Sequence, residues 1–166
     1  MILYPNYYCE NVTKITIDFL KEHNIKGLIL DVDNTLIDID RNLVSGVEKW
    51  HKEIRDAGIK TIILSNTNKK DKLDEVSKKL SLEYIGFAKK PLKGGFKKAK
   101  EKLGLKTENI AVVGDQIFTD VIGANISKMF SILVDPVAES DLWMTKWKRP
   151  IEKFIINKYL EKRKAN

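Results

Sequence analysis

The sequence predicts an α/β fold, with a five-stranded parallel sheet and helices on both of its faces. Three observations carry that expectation. Short β-rich apolar runs recur along the chain, stretches with helical spacing of apolar residues separate them, and several runs are apolar almost without interruption. Strands alternating with helices mark a parallel sheet with crossover connections. Uninterrupted apolar strands are those covered on both faces.

The predicted strands are Gly27–Val32, Lys60–Leu64, Glu83–Phe87, Ile110–Gly114 and Phe130–Val134. An N-terminal helix is expected over 12–24. After the first strand, Ser45 and Glu48 have the spacing of a capping box, and Val47, Trp50, Ile54 and Ala57 form one apolar stripe that Gly58 ends. Asn68 is placed to cap a helix that turns Leu73, Val76 and Leu80 inward. A further helix carries Phe96, Ala99 and Leu103 and stops at Gly104. The arrangement is Rossmann-like. Residues 1–140 are expected to form the body, and 141–166 a basic amphipathic helix packed on it or extending from it.

With 166 residues, 43% of them hydrophobic and 32% charged, the chain has the material for one domain with a real core. The single cysteine, Cys9, excludes an intramolecular disulfide and suits a reducing compartment. No apolar run approaches the roughly 20 residues that span a bilayer, and no secretory leader is evident, so a cytoplasmic protein is expected. The net charge of +7 is concentrated at one end. Residues 141–166 hold eight basic side chains against three acidic ones, leaving the body close to neutral.

Ligands of such sheets bind beyond the carboxyl ends of the strands. The loops there begin at Asp31, Ser65, Ala88 and Asp115. If the first strand continues through the loop, Asp31 and Asp33 share a side, and two carboxylates about 4 Å apart repel by about 4 kcal/mol at an effective dielectric near 20. A cation or a shared proton offsets such a cost. Ser65 and Asn66 precede a helix start, a natural phosphate site, although they equally suit a helix cap. Lys90 is placed to neutralise a phosphate, although most lysines are solvated. Asp115 stands where a metal ligand would, with Asp120 one turn on to orient it. Either aspartate alone could cap a short helix. Four successive strand ends with these residues would be an odd accident.

The order of Asp-x-Asp-x-Thr, Ser, Lys and Gly-Asp-x₄-Asp resembles the four motifs of the haloacid dehalogenase superfamily. The stretches GLILDVDNTL (27–36), ILSNTN (63–68), Lys89-Lys90-Pro91 and VGDQIFTDV (113–121) resemble the YqeG-type phosphatases of subclass IIIA, and the likeness covers nearly the whole chain. The resemblance implies Asp31 as the nucleophile, forming an aspartyl-phosphate, and Asp33 as the general acid and base. It implies Mg²⁺ held by the Asp31 carboxylate, the Asp33 carbonyl and Asp115. Asn34, Ser65, Asn66 and Lys90 would contact the substrate, with Thr35 and Asp120 supporting them.

The intervals between motifs leave room for single helices and for no cap domain. An open site suits a bulky phosphorylated substrate. In the tail, Ile151, Phe154, Ile155 and Tyr159 fall at helical spacing among basic residues, with Trp143, Met144 and Trp147 before them. Such a helix could lie on an anionic membrane or pack on the body. Some eukaryotic relatives of the resembled family resemble phosphatases of phosphatidylglycerophosphate, which makes a lipid head group the leading expected substrate and a phosphorylated small molecule the other. His23 and His51 have no ligand partners at metal spacing and are expected to be structural. Two rivals differ in class. A signalling receiver domain shares Asp, Ser or Thr, Lys and Mg²⁺, but would put its acidic pair and phosphoacceptor in another order. A nucleic-acid or ribonucleoprotein binder would use the basic tail, which carries no recognisable reader motif. Oligomeric state leaves no mark in the sequence.

Overall fold

The computed structural model describes residues 1–138 and 147–165. Its strands are β1 (Tyr7–Cys9), β2 (Gly27–Leu30), β3 (Lys60–Leu64), β4 (Tyr84–Ile85), β5 (Ile110–Gly114) and β6 (Phe130–Val134). Its helices are α1 (Ile17–Glu22), α2 (Val47–Asp56), α3 (Lys70–Leu80), α4 (Lys93–Leu103), α5 (Ile122–Ile126) and α6 (Lys148–Lys164). All strand pairs are parallel, in the order β1-β6-β5-β2-β3-β4.

The alternation of side chains on the strands builds the two layers. Leu28, Leu30, Ile63, Ala111 and Val113 pack on one face against Trp50 and Ile54 of α2 and Leu73, Val76 and Leu80 of α3. Ile29, Ile62, Leu64 and Val112 face the other way, onto Phe96, Ala99 and Leu103 of α4 and Ala124 of α5. Helices cover both faces, as expected, and the connection from β2 to β3 holds one short irregular excursion and α2. Gly58 and Gly104 take left-handed conformations at helix ends, where a side chain would be strained.

The sheet has six strands, not five. The additional one, β1, is three residues long and lies at the edge, too short to show a period. It is held beside β6 partly by Asn6, whose backbone N–H donates to Ser131 Oγ and whose Oδ1 accepts from Ser131 N. The helix expected over 12–24 is also divided. Asn11 caps a 3₁₀ turn at Val12–Lys14, Ile15 is extended, and Thr16 caps α1 by accepting from Phe19 N. Trp50 Nε1 donates to the Ile15 carbonyl at 2.8 Å, taking it out of any continuous helix.

Two expected caps do not form. Left-handed Gly46 occupies the cap position of α2 with no side-chain bond, so Ser45 and Glu48 make no capping box. At α3 the cap position belongs to Lys69 rather than Asn68. Cys9 is buried and its thiol is pushed up to about 11, chiefly by desolvation and further by Asp135. His51 is buried against Thr61, 2.7 Å from its hydroxyl, and desolvation pushes its ring below the usual range.

Helix α6 packs through Ile155 and Ile156 onto Ile117, Val121 and Leu133. Tyr159 packs against Tyr4 with the rings tilted by 59° and their centroids 5.9 Å apart. The buried stripe is Glu152, Ile155 and Tyr159, whereas Ile151 and Phe154 of the expected stripe are exposed. Trp143 and Met144 lie outside the described residues.

Candidate active site

The strand order reverses around β2. The chain steps outward through β3 and β4 and returns on the other side as β5, so the loops after β2 and β5 emerge side by side. The crevice at such a reversal is where open α/β sheets bind ligands. Asp31 stands at this point, its N–H donating to Val113 O at 2.9 Å.

Strand β2 stops at Leu30, and the chain then folds tightly. The carbonyl of Val32 accepts from the N–H groups of Thr35, Leu36 and Ile37. Asn34 is left-handed, with φ 59°. The strand expected to run on to Asp33 ends before Asp31, and the two carboxylates have different partners. Asp31 is buried, while the half-exposed Asp33 carboxylate receives Lys72 Nζ at 2.6 Å. Thr35 is buried beneath the loop.

After β3, buried Ser65 accepts from Thr67 N, and Thr67 Oγ1 accepts in turn from Lys69 N. Asn66 spans to the neighbouring loop. Its Oδ1 accepts from Lys90 N at 2.6 Å and its Nδ2 donates to Lys90 O at 3.1 Å. Both polar groups of the Lys90 main chain are thereby held by one amide.

Lys90 reaches inward. Its Nζ lies 2.7 Å from Asp31 Oδ1 and 2.6 Å from Asp120 Oδ1, with its side chain only 3% exposed. Asp120 Oδ2 accepts from Gln116 N. Asp120 comes this close because position 114 is glycine: a Cβ there would run into the Asp120 carboxylate. The loop from Asp115 continues as a π-turn, Ile117–Val121, a local geometry frequent at functional sites.

Oxygens of Asp31, Asp115 and Asp120 lie within 4.8 Å of one another. Burial is the main force on the first two. It pushes Asp31 well above the usual carboxylate range, with Asp120 and Asp115 adding to the rise and Lys90 opposing it. Burial and then Asp120 push Asp115 up to about 6, against the pull of Arg149. Burial also works against the charge on Lys90, but Asp120 and Asp31 outweigh it and hold the ammonium above its usual range. When ionised, the three carboxylates outnumber Lys90 and Arg149 by one negative charge, and the buried Glu152 that shares Arg149 adds another. Asp115 Oδ1 is buried with no hydrogen-bond partner. An all-oxygen group with an uncompensated negative charge fits a hard divalent cation.

Three residues at this site were not singled out in the sequence. Lys72, on the first turn of α3, holds Asp33. Arg149 Nη2 donates to Asp115 Oδ2 at 2.9 Å. Glu152 Oε1 accepts from Ile117 N at 2.9 Å, and Glu152 Oε2 lies 3.6 Å from Arg149 Nη1. A signal for the last two was present. Glu152, Ile155 and Tyr159 share one helix face, and an acid on an otherwise apolar face asks for a buried partner.

Known proteins place this architecture. Residues 39–126 match the family model described as haloacid dehalogenase-like hydrolase. A Bacillus subtilis protein described as probable phosphatase YqeG is 39% identical over 154 residues, covering 92% of this chain and 89% of its own. Among solved structures, an uncharacterised protein from Listeria monocytogenes serotype 4b is similar, with a TM-score of 0.58 at 18% identity, over 71% of this chain and 85% of its own. So is the cobalt-bound deoxy-D-mannose-octulosonate 8-phosphate phosphatase of Haemophilus influenzae, with a TM-score of 0.57 at 16% identity, over 84% of this chain and 91% of its own. The chain belongs to the haloacid dehalogenase-like hydrolases and, within them, to the YqeG-type phosphatases.

Proposed function

We propose that the protein is a Mg²⁺-dependent phosphomonoester hydrolase that works through an aspartyl-phosphate on Asp31. The observation that carries this reading is the burial of Asp31 beside Lys90, within a group of three carboxylates that needs a further cation. Asp31, the main-chain carbonyl of Asp33 and Asp115 would hold Mg²⁺, which when bound supplies positive charge for the phosphoryl oxygens.

The protein's own groups account for the rest. The Asp31 carboxylate attacks phosphorus, and the alkoxide leaves with a proton from the Asp33 carboxyl. Water then attacks the aspartyl-phosphate, giving its proton to Asp33 and releasing inorganic phosphate, which restores Asp31. Lys90 balances charge on the transferring oxygens, with Ser65 Oγ and the Asn34 and Asn66 main chain as further donors. Asp120 holds Lys90 in place, and Thr35 supports the turn carrying Asp33.

For substrate, we infer a bulky phosphorylated molecule met at an anionic surface, with a lipid head group such as that of phosphatidylglycerophosphate as the leading case. Exposed Trp147, Ile151 and Phe154 support this. Lys148 and Lys158 lie over the Trp147 and Phe154 rings, so charge and apolar surface occur together. Residues 1–140 then form the catalytic body, and 141–166 the surface-contacting segment. No helix among the described residues is long and apolar enough to cross a membrane.

The test is hydrolysis of an aryl phosphate, then of phosphatidylglycerophosphate in vesicles. Wild type should turn over with Mg²⁺, and both EDTA and Asp31→Asn should abolish turnover. Hydrolysis persisting in Asp31→Asn would defeat the mechanism.

A further inference from the structure

Helix α6 reaches the site through two side chains one turn apart. Arg149 gives Nη2 to Asp115 Oδ2 at 2.9 Å, and Nη1 lies 3.4 Å from the carbonyl of the same residue. Glu152, itself buried, accepts from the Ile117 and Phe118 N–H groups at the opening of the π-turn. It also pairs with Arg149, so the two residues grip the Asp115 loop from one side. Residues Leu3, Tyr4 and Tyr8 pack around the same helix and loop. The contacts hold the helix where its arginine meets the carboxylate.

The two oxygens of Asp115 are unequally placed. Oδ2 is engaged by Arg149, and Oδ1 is buried with no partner. We propose that Arg149 is a positioning residue for Asp115: it fixes one carboxylate oxygen so that the other is presented to the divalent cation. The inference rests on the metal-dependent reading above and extends it, because α6 becomes part of the metal site.

Two effects of the guanidinium oppose each other. Fixing a ligand's orientation favours cation binding, and losing such a partner typically weakens metal affinity about 10–100-fold. Its positive charge, in contrast, repels a cation across the carboxylate. Orientation should win, because a cation would meet Asp115 through Oδ1 while the guanidinium engages Oδ2. A competitor for Asp115 would act in the opposite direction, so the sign of one measurement separates the two.

The test is Mn²⁺ binding to the full chain, followed by calorimetry and by the paramagnetic signal of the free ion, alongside aryl-phosphate hydrolysis by wild type. Arg149→Ala should weaken Mn²⁺ binding at least about tenfold while far-ultraviolet dichroism stays unchanged. Millimolar methylguanidinium, which refills the same space, should restore part of the affinity. If Arg149→Ala does not fold, Arg149→Met keeps the apolar stem and should show the same loss. Unchanged or tighter binding in a folded variant overturns the proposal while leaving the phosphatase reading intact, provided wild type binds Mn²⁺ and turns over. A wild type that binds no Mn²⁺ overturns the metal-dependent reading and this inference together.

Discussion

The side-chain amide of Asn66 pairs with both main-chain polar groups of Lys90, linking the loop after β3 to the one after β4. A primary amide offers a donor and an acceptor side by side, so one residue fixes the backbone from which the buried lysine departs. Asn66→Ala should therefore act through Lys90. We expect kcat/KM for an aryl phosphate to fall by on the order of 10–100-fold, and stability by about 1–3 kcal/mol from the unpaired main-chain groups. Steady-state kinetics and denaturant unfolding of the variant check both. Wild-type turnover in Asn66→Ala would mean that Lys90 needs no such support.

Gly114 should tolerate no side chain. Asp120 lies against its α-carbon, and the methyl of Gly114→Ala would collide with that carboxylate. Displacing Asp120 removes one of the two carboxylates on Lys90 Nζ. The expected cost is about 1–3 kcal/mol of overpacking strain, with activity reduced further than stability explains. Unfolding curves and kinetics of Gly114→Ala, compared with Gly94→Ala at an unobstructed site, are the measurement.

The metal-free protein should lose stability from Asp115 as pH rises through weakly acidic values. An ordinary aspartate titrates near 3.9, whereas in the folded state Asp115 is pushed up to about 6. Between these values the unfolded chain has released this proton and the folded chain still holds it. Raising pH therefore favours unfolding, by about 3 kcal/mol across the window for one such group. Asp31, pushed in the same direction, adds to the effect. Urea unfolding in EDTA from pH 4 to 7, wild type against Asp115→Asn, should reveal the difference, and Mg²⁺ should shrink it. Identical pH profiles for the two proteins would show that Asp115 is not so perturbed.

Asp33→Asn should discriminate between leaving groups. Its half-exposed carboxylate meets Lys72 Nζ at 2.6 Å. An aryloxide leaves with little help, while an alkoxide needs the proton. The variant should lose more rate on an alkyl phosphate than on an aryl phosphate, in paired assays under one buffer. Equal losses on both would remove Asp33 from the acid role. Lys72→Met should change stability by less than about 1 kcal/mol, as for other partly exposed ion pairs.

Asp31, Ser65, Lys90, Asp115 and Asp120 were legible because each follows a strand, and the apolar runs mark where strands end. Rossmann-like architecture placed those ends together: Lys90 meets Asp31 and Asp120, and an Asp115 oxygen lies within 4.8 Å of both carboxylates. The tight turn that carries Asp33 was not legible, since it depends on β2 stopping at Leu30 and on three amides converging on the Val32 carbonyl. The Ser45–Glu48 box matched a local pattern, but Gly46 took the cap position in a left-handed turn. Arg149 and Glu152 were hidden for a different reason. Their helix lies outside the alternating α/β pattern, so nothing local specifies which loop it meets, and the exposed Ile151 and Phe154 suggested the wrong face.

The pairing of β1 with β6 joins residues 125 positions apart, as Asn6 and Ser131 show. Among the six described strands, the first to be synthesised thus pairs with the last. Until then it is an exposed edge, able to pair with a strand from another nascent chain. Three residues make a poor template for such mispairing, and the polar Asn6–Ser131 link rewards the right partner. The shortness that conceals β1 in the sequence is what makes its long wait safe.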